Sequence, residues 1–173
     1  MRENFNKCLE MVLEHEGGYV NNENDRGGMT NLGVTRRVYE DWVDRPVTEQ
    51  EMRDLTPEDV APIYKKNYWD RVRADDLLAG LDWACFDWAV NSGSSRPAKA
   101  VQRAVAAKPD GFIGAQTLQL VAEKEPEYII DYVYTVRQAF YESLDDYKHF
   151  GRGWSRRNKE TLHQAIEMAK GGK

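Results

Sequence analysis

One glutamate of this chain stands where a predicted helix gives way to a glycine-rich loop. Glu16 is followed directly by Gly17-Gly18 and then by Tyr19. Two further polar side chains, Asp25 and Thr30, lie in the same loop. Glycines permit backbone conformations that other residues resist, so such a loop can hold a carboxyl group at the edge of a cleft. The types and spacing of these residues predict acid–base chemistry, with Glu16 as the general acid.

Other site chemistries are poorly supported. A zinc site of the His-Glu-x-x-His type needs a second histidine where Tyr19 stands, and the remaining histidines are far away in sequence. The serines at 92, 94 and 95 lack the strand–turn–helix elbow of a catalytic serine. The oxygen-rich run 22–25 lacks the spacing of an EF-hand loop, which leaves calcium there as an open alternative.

Carboxyl chemistry makes a specific demand on a glutamate. A glycosidase acid must stay protonated near neutral pH to protonate the departing sugar oxygen, and a partly apolar pocket raises the pKa of a glutamate far enough for this. Glu16 lies beside the aromatic Tyr19 and at the predicted C-terminus of a helix, whose dipole disfavours the charged form. We therefore interpret Glu16 as more than an exposed residue at a helix end.

The elements that must position these residues are predicted to be helices. The first helix has one apolar face and ends near 14–16 at the glycine pair. Its apolar residues are Phe5, Cys8, Leu9, Val12 and Leu13. Capping signals at Thr35, Thr48 and Thr56 predict three more helix starts, the last helix extending to Tyr68-Trp69. Between them, the loop from 19 to 34 holds at most a small β-hairpin.

The second half of the chain is also predicted to be helical. An apolar segment over 77–89 predicts a central buried helix with Trp83 and Trp88 in the core. Further helices are expected from Pro97, from 115, through 129–144 and from 154 to 168. No window shows a convincing series of alternating strands, so the fold is mainly α. The break at 91–95 predicts a boundary between two lobes, 1–95 and 96–173.

Charge and cysteine content limit the partners. A formal net charge of -5 argues against nucleic acid, which usually requires a basic surface. Cys8 and Cys85 lie among apolar residues and are expected to be reduced core residues. We interpret a late group of basic residues as a solvated helix face, with a patch for an anionic polymer as the alternative. This group comprises Lys148, Arg152, Arg156, Arg157 and Lys159.

The N-terminal residues carry no apolar export signal, and no window is apolar enough to span a membrane. We expect a protein made in the cytosol that does not insert stably into membranes.

Several segments together resemble the muramidases of glycoside hydrolase family 108, known mainly from phage endolysins. The most specific are 15–21, 25–28 and 30–35; 68–69, 74–75 and 86–93 follow. The run 110–118 is similar to the motif of a C-terminal peptidoglycan-binding region, and 137–141 and 150–157 extend the likeness almost to the end. The resemblance implies a lysozyme-like helical lobe and a smaller helical wall-binding lobe.

The resemblance implies cleavage of the β-1,4 bond between N-acetylmuramic acid and N-acetylglucosamine in bacterial peptidoglycan, with Glu16 as proton donor. It implies neither an organic cofactor nor a metal. Eight residues separate Glu16 from Asp25, as in phage-type lysozymes, whereas four rather than five separate Asp25 from Thr30. Asp25 and Thr30 are therefore second choices for catalytic residues. A cap on the turn before Gly27 is the alternative for Asp25. Retention or inversion depends on a carboxylate separation that the sequence does not give.

Flat aromatic faces and hydrogen-bonding groups are expected to hold the sugar chain. The candidates are Tyr19, Asn91, Ser92, Tyr141 and Trp154. Packing of the loop is the alternative for Tyr19, helix capping for Asn91 and Ser92, and burial in an amphipathic helix for Tyr141 and Trp154.

As an endolysin, the protein is expected to be a monomer, held in the host cytoplasm until a holin-like membrane protein releases it to lyse the cell. Two other functions remain open: a lytic transglycosylase acting on the same bond, and a non-catalytic protein that binds the wall or assists secretion.

Overall fold

The computed structural model describes residues 4–21 and 28–171 and is mainly helical. Within that part of the chain, one small sheet follows the first helix. The described residues form two compact units, one between 6 and 66 and the other from 4, 5 and 67–171. The predicted mainly α fold, with a small hairpin after the first helix, is confirmed.

The unit between 6 and 66 combines the sheet with short helices. Its elements are α1 (Asn4–Glu16) apart from its first two residues, β1 (Val20–Asn21), β2 (Met29–Asn31), β3 (Val34–Thr35), α2 (Arg36–Val43), α3 (Glu49–Arg53) and α4 (Pro57–Tyr64). The apolar face predicted for α1 is buried, except that Leu13 is only half-buried. Since α1 ends at Glu16, the predicted position of the glutamate at the end of the helix is confirmed.

A two-residue turn joins β2 to β3. Asn31 pairs with Val34, so Leu32 and Gly33 alone form the turn. Both have positive φ, 48° and 72°, as in the type I′ turns whose twist matches that of the strands they join. β2 also pairs with β1 and is therefore the central strand.

Threonine caps begin the next three helices, as predicted. Thr35 accepts a hydrogen bond from the backbone N–H of Val38. Thr48 and Thr56 each begin a reciprocal capping box, in which the side chain three residues later bonds back to the threonine. Helix α4 ends at Tyr64 and continues as a wider π turn over Lys65–Trp69, so the expected single helix changes its winding there.

The other unit is built around one buried helix. Short 3₁₀ turns at Asp70–Val72 and Ala74–Asp76 precede α5 (Leu81–Ser92), α6 (Ser95–Ala104), α7 (Ala115–Ala122), α8 (Pro126–Glu142) and α9 (Tyr147–Gly171). Residues 81–89 of α5 are all buried, which confirms the predicted central helix and the core positions of Trp83 and Trp88.

Both cysteines are buried and free, as predicted. Burial raises the pKa of the Cys85 thiol, which keeps it protonated.

Three helices begin earlier or later than the sequence predicts. Helix α5 begins at Leu81, because Gly80 before it has a φ of 84° and its α-carbon faces the backbone of Ala165. Helix α6 begins at Ser95, which places Pro97 within the first turn, where a missing N–H costs little. Helix α9 begins at Tyr147 instead of 154 and continues to Gly171.

A buried ion cluster links α5, α8 and α9. Asp87 of α5 is fully buried and lies 2.7 Å from both Arg137 of α8 and Arg157 of α9. Thr161 donates a third contact to this carboxylate at 3.0 Å. Burial alone would raise the pKa of Asp87, but the two guanidinium groups outweigh it and lower the pKa to about 2. Asp87 therefore stays ionised in the core.

Candidate active site

Glu16 is the last residue of α1 and is half-buried. The next residue, Gly17, has a φ of 69°, a conformation that glycine adopts readily and that ends the helix. The carboxyl group thus stands at the C-terminal, negative end of the helix dipole.

The turn between β2 and β3 lies directly against Glu16. A Cβ built on Gly33 would stand 3.1 Å from Oε2 and 3.2 Å from Cγ of Glu16, and would overlap the hydroxyl of Tyr64. Tyr64, 2% exposed, donates that hydroxyl to the carbonyl of Leu32 at 3.0 Å. Glycine at 33 is therefore what allows the turn, the carboxyl group and the phenol to approach one another.

The second predicted polar residue of the loop, Thr30, lies on the central strand. It is half-buried and pairs with Val20 of β1 and with Thr35 of β3. It precedes the turn beside Glu16 by two residues. Asp25 lies outside the described residues, and its predicted role stays a prediction.

Tyr19 is held by two side chains of α3. Its hydroxyl donates to Glu49 at 2.9 Å, and the guanidinium of Arg53 lies 4.0 Å from its ring centroid. Partial burial and the hydrogen bond to Glu49 raise the pKa of Tyr19. Tyr19 therefore links the loop after α1 to α3, while its role in sugar binding stays a prediction.

Asn31 joins the hairpin to the end of α3. It is 5% exposed, and its amide donates to the carbonyls of Met52 at 2.9 Å and Arg53 at 3.2 Å, at the end of α3. Neither Asn31 nor Tyr64 was predicted to have a role in the site. The position of Asn31 just before the turn residues Leu32-Gly33 was the one sequence signal for its role. The contacts of Asn31 and Tyr64 join residues that are far apart in sequence.

The other four predicted binding residues meet in the unit built around α5. Tyr141 donates its hydroxyl to Asn91 at 2.8 Å, and Ser92 donates to the same amide oxygen at 2.8 Å. The Tyr141 hydroxyl also accepts from Arg137 at 2.8 Å, and its ring centroid lies 5.5 Å from that of Trp154. Tyr141 is only 2% exposed, whereas Asn91 is exposed. Their predicted contact with sugar stays a prediction.

The basic residues of α9 do not all behave alike. Lys148, Arg152, Arg156 and Lys159 are exposed, as predicted for a solvated face. The interpretation is wrong for Arg157, whose side chain is 15% exposed and pairs with buried Asp87. Spacing along a helix did not reveal this, because the partner lies on another helix.

No membrane-crossing helix and no cluster of metal-binding side chains occurs in the described part of the chain. None of its helices is both long and apolar enough to cross a bilayer. Within residues 4–21 and 28–171, no three histidine, cysteine, aspartate or glutamate side chains are grouped to hold a metal ion. What the described site offers is a half-buried carboxyl group at a helix end, beside the Leu32-Gly33 turn.

Comparisons with known proteins match both parts of the chain. Residues 9–93 match the family described as Glycosyl hydrolase 108, and residues 96–159 match the one described as Predicted Peptidoglycan domain. Among the similar solved structures is that of Brucella abortus SagA, 36% identical, with a TM-score of 0.84 over 98% of this chain and 97% of that one. A search of curated proteins found no match. The predicted boundary after residue 95 stays a prediction.

Proposed function

Because the chain belongs to the Glycosyl hydrolase 108 family, we propose that it cleaves the β-1,4 bond between N-acetylmuramic acid and N-acetylglucosamine. The protein is a glycoside hydrolase that acts on peptidoglycan. The choice of bond follows from the resemblance to the muramidases of this family, and the assignment of Glu16 as the acid rests on one observation above all: Glu16 ends α1 and lies against the Gly33 turn. That position suits a proton donor to a glycosidic oxygen.

Glu16 acts as the general acid. Its proton passes to the oxygen that bridges the two sugars while the bond from C1 to that oxygen breaks, and positive charge develops on the sugar ring. Water then adds to C1 and its proton passes to the carboxylate of Glu16, so the acid is regenerated and one water is consumed for each bond cleaved. Asp25 or Thr30 orients this water in the proposal.

Tyr64 is a positioning residue. It does not touch the substrate in this proposal, but its hydroxyl holds the carbonyl of Leu32 and thereby fixes the turn against Glu16. A catalytic acid must be held closely in place, since small displacements of reacting groups slow a reaction strongly.

The remaining candidates bind the sugar chain. Asn91 presents an exposed amide whose orientation is fixed by Tyr141 and Ser92, which suits it to hydrogen-bond an N-acetyl group. Half-buried Trp154 and Tyr19 offer ring surface for a pyranose face. Tyr141 contributes by holding Asn91 and by supporting the ring of Trp154.

The biological setting proposed is that of a phage endolysin. The monomeric protein waits in the host cytoplasm, and a holin-like membrane protein releases it to the wall, where cleavage lyses the cell. The resemblance to a family known mainly from endolysins supports this. Expression in a bacterium with and without a holin tests it: lysis should require the holin, and lysis without any permeabilising protein would contradict the proposal.

The activity itself is tested by incubating wild type and Glu16→Gln with purified peptidoglycan and identifying the released ends by mass spectrometry. Wild type should release reducing N-acetylmuramic acid ends, and Glu16→Gln should lose at least a hundredfold in rate, about the contribution of a general acid. The matched control is Glu14→Gln, which changes an exposed glutamate on the same helix and should behave as wild type.

Two results would contradict the proposal. Anhydro ends would identify a lytic transglycosylase, in which the muramic acid 6-hydroxyl replaces water. No release by wild type, with binding to the wall retained, would identify a wall-binding protein without activity.

A further inference from the structure

An open groove of about 650 Å³ runs between α8 and the first half of α9. Its walls carry polar and charged side chains, and it lies in the part of the chain that matches the peptidoglycan domain. None of the residues proposed above for catalysis or sugar binding lines it. The groove is therefore distinct from the residues proposed for catalysis and sugar binding.

The floor of the groove is a fixed polar network. The side-chain amide of Gln138 donates to Ser155 at 2.9 Å and to the hydroxyl of Tyr147 at 3.2 Å. The hydroxyls of Tyr147 and Ser155 are 3.0 Å apart. Asn158, which is 2% exposed, donates to the oxygen of Gln138 at 3.2 Å and so fixes which way that amide points. The floor thus presents oriented hydroxyl groups rather than mobile side chains.

The rim of the groove is cationic. Lys148, Arg152 and Lys159 line it, and all three are exposed. None of them forms an ion pair with any residue in the described ranges 4–21 and 28–171. Of the described residues that line the groove, Glu142 alone is acidic, and it accepts a hydrogen bond from Gln138. On a protein with a formal net charge of -5, three unpaired cations around one groove favour an anionic ligand.

The shape of the groove depends on Gly151. A Cβ built there would stand 2.6 Å from Cδ2 and Cε2 of Tyr147, so only glycine lets that ring lie across its own helix. This placement brings the Tyr147 hydroxyl to Gln138 and Ser155. Glycine is unfavourable inside a helix, and here it provides a specific contact.

We propose that this groove binds the carboxylate-bearing stem peptide of peptidoglycan. The glycan strand is neutral wherever its lactyl carboxyl group is joined to a peptide, whereas the stem peptide carries free carboxylates and backbone amides. Lys148, Arg152 and Lys159 bind the carboxylates, and the hydroxyls of Tyr147 and Ser155 bond to peptide amides. This inference rests on the proposed action on peptidoglycan and adds a site that binds the stem peptide.

The test measures binding of two soluble probes to the full chain by calorimetry: the disaccharide N-acetylglucosaminyl-N-acetylmuramic acid, with and without its tetrapeptide. The enzyme is proposed to cleave the bond at C1 of N-acetylmuramic acid. In both probes N-acetylmuramic acid is the reducing-end sugar, so neither probe contains that bond. Wild type should bind the peptide-bearing probe at least about tenfold more tightly, since one charge-assisted hydrogen bond is worth about that factor. The preference should weaken as salt is raised, because these charges are exposed.

Matched triple variants locate the site. Lys148→Gln/Arg152→Gln/Lys159→Gln should lose the tenfold preference for the peptide-bearing probe. The control, Arg103→Gln/Arg156→Gln/Lys170→Gln, removes three exposed cations outside the groove and should keep it. Circular dichroism checks that both variants fold.

Three outcomes would overturn the proposal: equal affinity of wild type for the two probes, an unchanged preference in the groove variant, or an equal loss in the control. Binding of poly(glycerol phosphate) in place of the peptide probe, with the same dependence on the three cations, would assign the groove to a phosphate polymer instead. Cleavage of peptidoglycan is measured separately. An active enzyme that shows no preference for the peptide-bearing probe therefore contradicts only this inference. Peptide binding by an inactive protein contradicts only the proposed function.

Discussion

Gly33 decides how closely the hairpin turn approaches Glu16. It combines a φ of 72° with contacts that leave no room for a side chain. Gly33→Ala should therefore lose about 1–2 kcal/mol to backbone strain, and more to the displacement of Tyr64 and Glu16. Because the displaced groups include the proposed acid, the rate of peptidoglycan cleavage should fall at least tenfold. Thermal unfolding and end-group release measure the two effects.

Substitutions at two other glycines distinguish the effect of backbone strain from the effect of steric contact with Glu16. Gly28 also has a positive φ, 59°, but no atom of the described residues 4–21 and 28–171 lies within 4 Å of its added Cβ, so Gly28→Ala should show the strain alone. Gly18 has neither feature, and Gly18→Ala should resemble wild type. If Gly28→Ala lowered the rate as much as Gly33→Ala, contact with Glu16 would not be the cause.

At the scale of the helix, α9 contains a matched glycine pair. Replacing an interior helical glycine by alanine usually stabilises a protein by about 0.5–1 kcal/mol. A Cβ added at Gly153 has no neighbour within 4 Å in the described part of the chain, and Gly153→Ala should show that gain. Gly151→Ala must push the ring of Tyr147 aside, so the gain should vanish or reverse. Denaturant unfolding of the two variants compares them, and equal gains would show that Tyr147 moves freely.

The ion cluster that joins α5, α8 and α9 predicts how stability depends on pH. The pKa of Asp87 is lowered from 3.8 to about 2, so the folded protein binds fewer protons at this site than the unfolded chain. Its contribution to stability is fully present above about pH 4 and is lost as the pH falls towards 2. Asp87→Asn should cost about 3 kcal/mol at pH 7, since it leaves two arginines without their carboxylate.

The melting temperature of wild type should fall between pH 4 and 2, and that of Asp87→Asn, already lower, should fall less. Asp145→Asn changes an exposed aspartate and should keep the slope of wild type. A parallel decline in wild type and Asp87→Asn would mean that other carboxyl groups carry the acid sensitivity.

Elements that depend on neighbouring residues were predictable from the sequence, and contacts between remote residues were not. The threonine caps at 35, 48 and 56 act over three residues, and the structure has all of them. The position of Glu16 at a helix end followed in the same way from Gly17-Gly18. The contact of Tyr64 with the hairpin and the pairing of Arg157 with Asp87 join distant segments, which periodicity along one helix does not relate.

For the whole molecule, the groove between α8 and α9 predicts a dependence on substrate. If the groove holds stem peptides, the variant Lys148→Gln/Arg152→Gln/Lys159→Gln should show a raised KM on intact peptidoglycan and an unchanged kcat, because its cations are not part of the acid–base machinery. On glycan strands stripped of peptide, which keep only the lactyl carboxylates, the difference in KM between wild type and variant should be smaller. A fall in kcat on both substrates would point to a structural defect instead.

Metal dependence is the last property that belongs to the chain as a whole. A mechanism carried by Glu16 needs no metal, and the alternative of calcium concerns only the oxygen-rich run 22–25, which lies outside the described residues. After dialysis against EDTA, we expect the rate of peptidoglycan cleavage and the melting temperature to be unchanged. A ligand that binds only the folded state at a hundred times its Kd stabilises it by about 2.7 kcal/mol, so bound calcium would be visible in the melting temperature even if it took no part in catalysis. Loss of activity restored by calcium, but not by magnesium, would place a calcium ion in the loop that follows Glu16 and would give the carboxylate of Asp25 a ligand's role in place of a catalytic one.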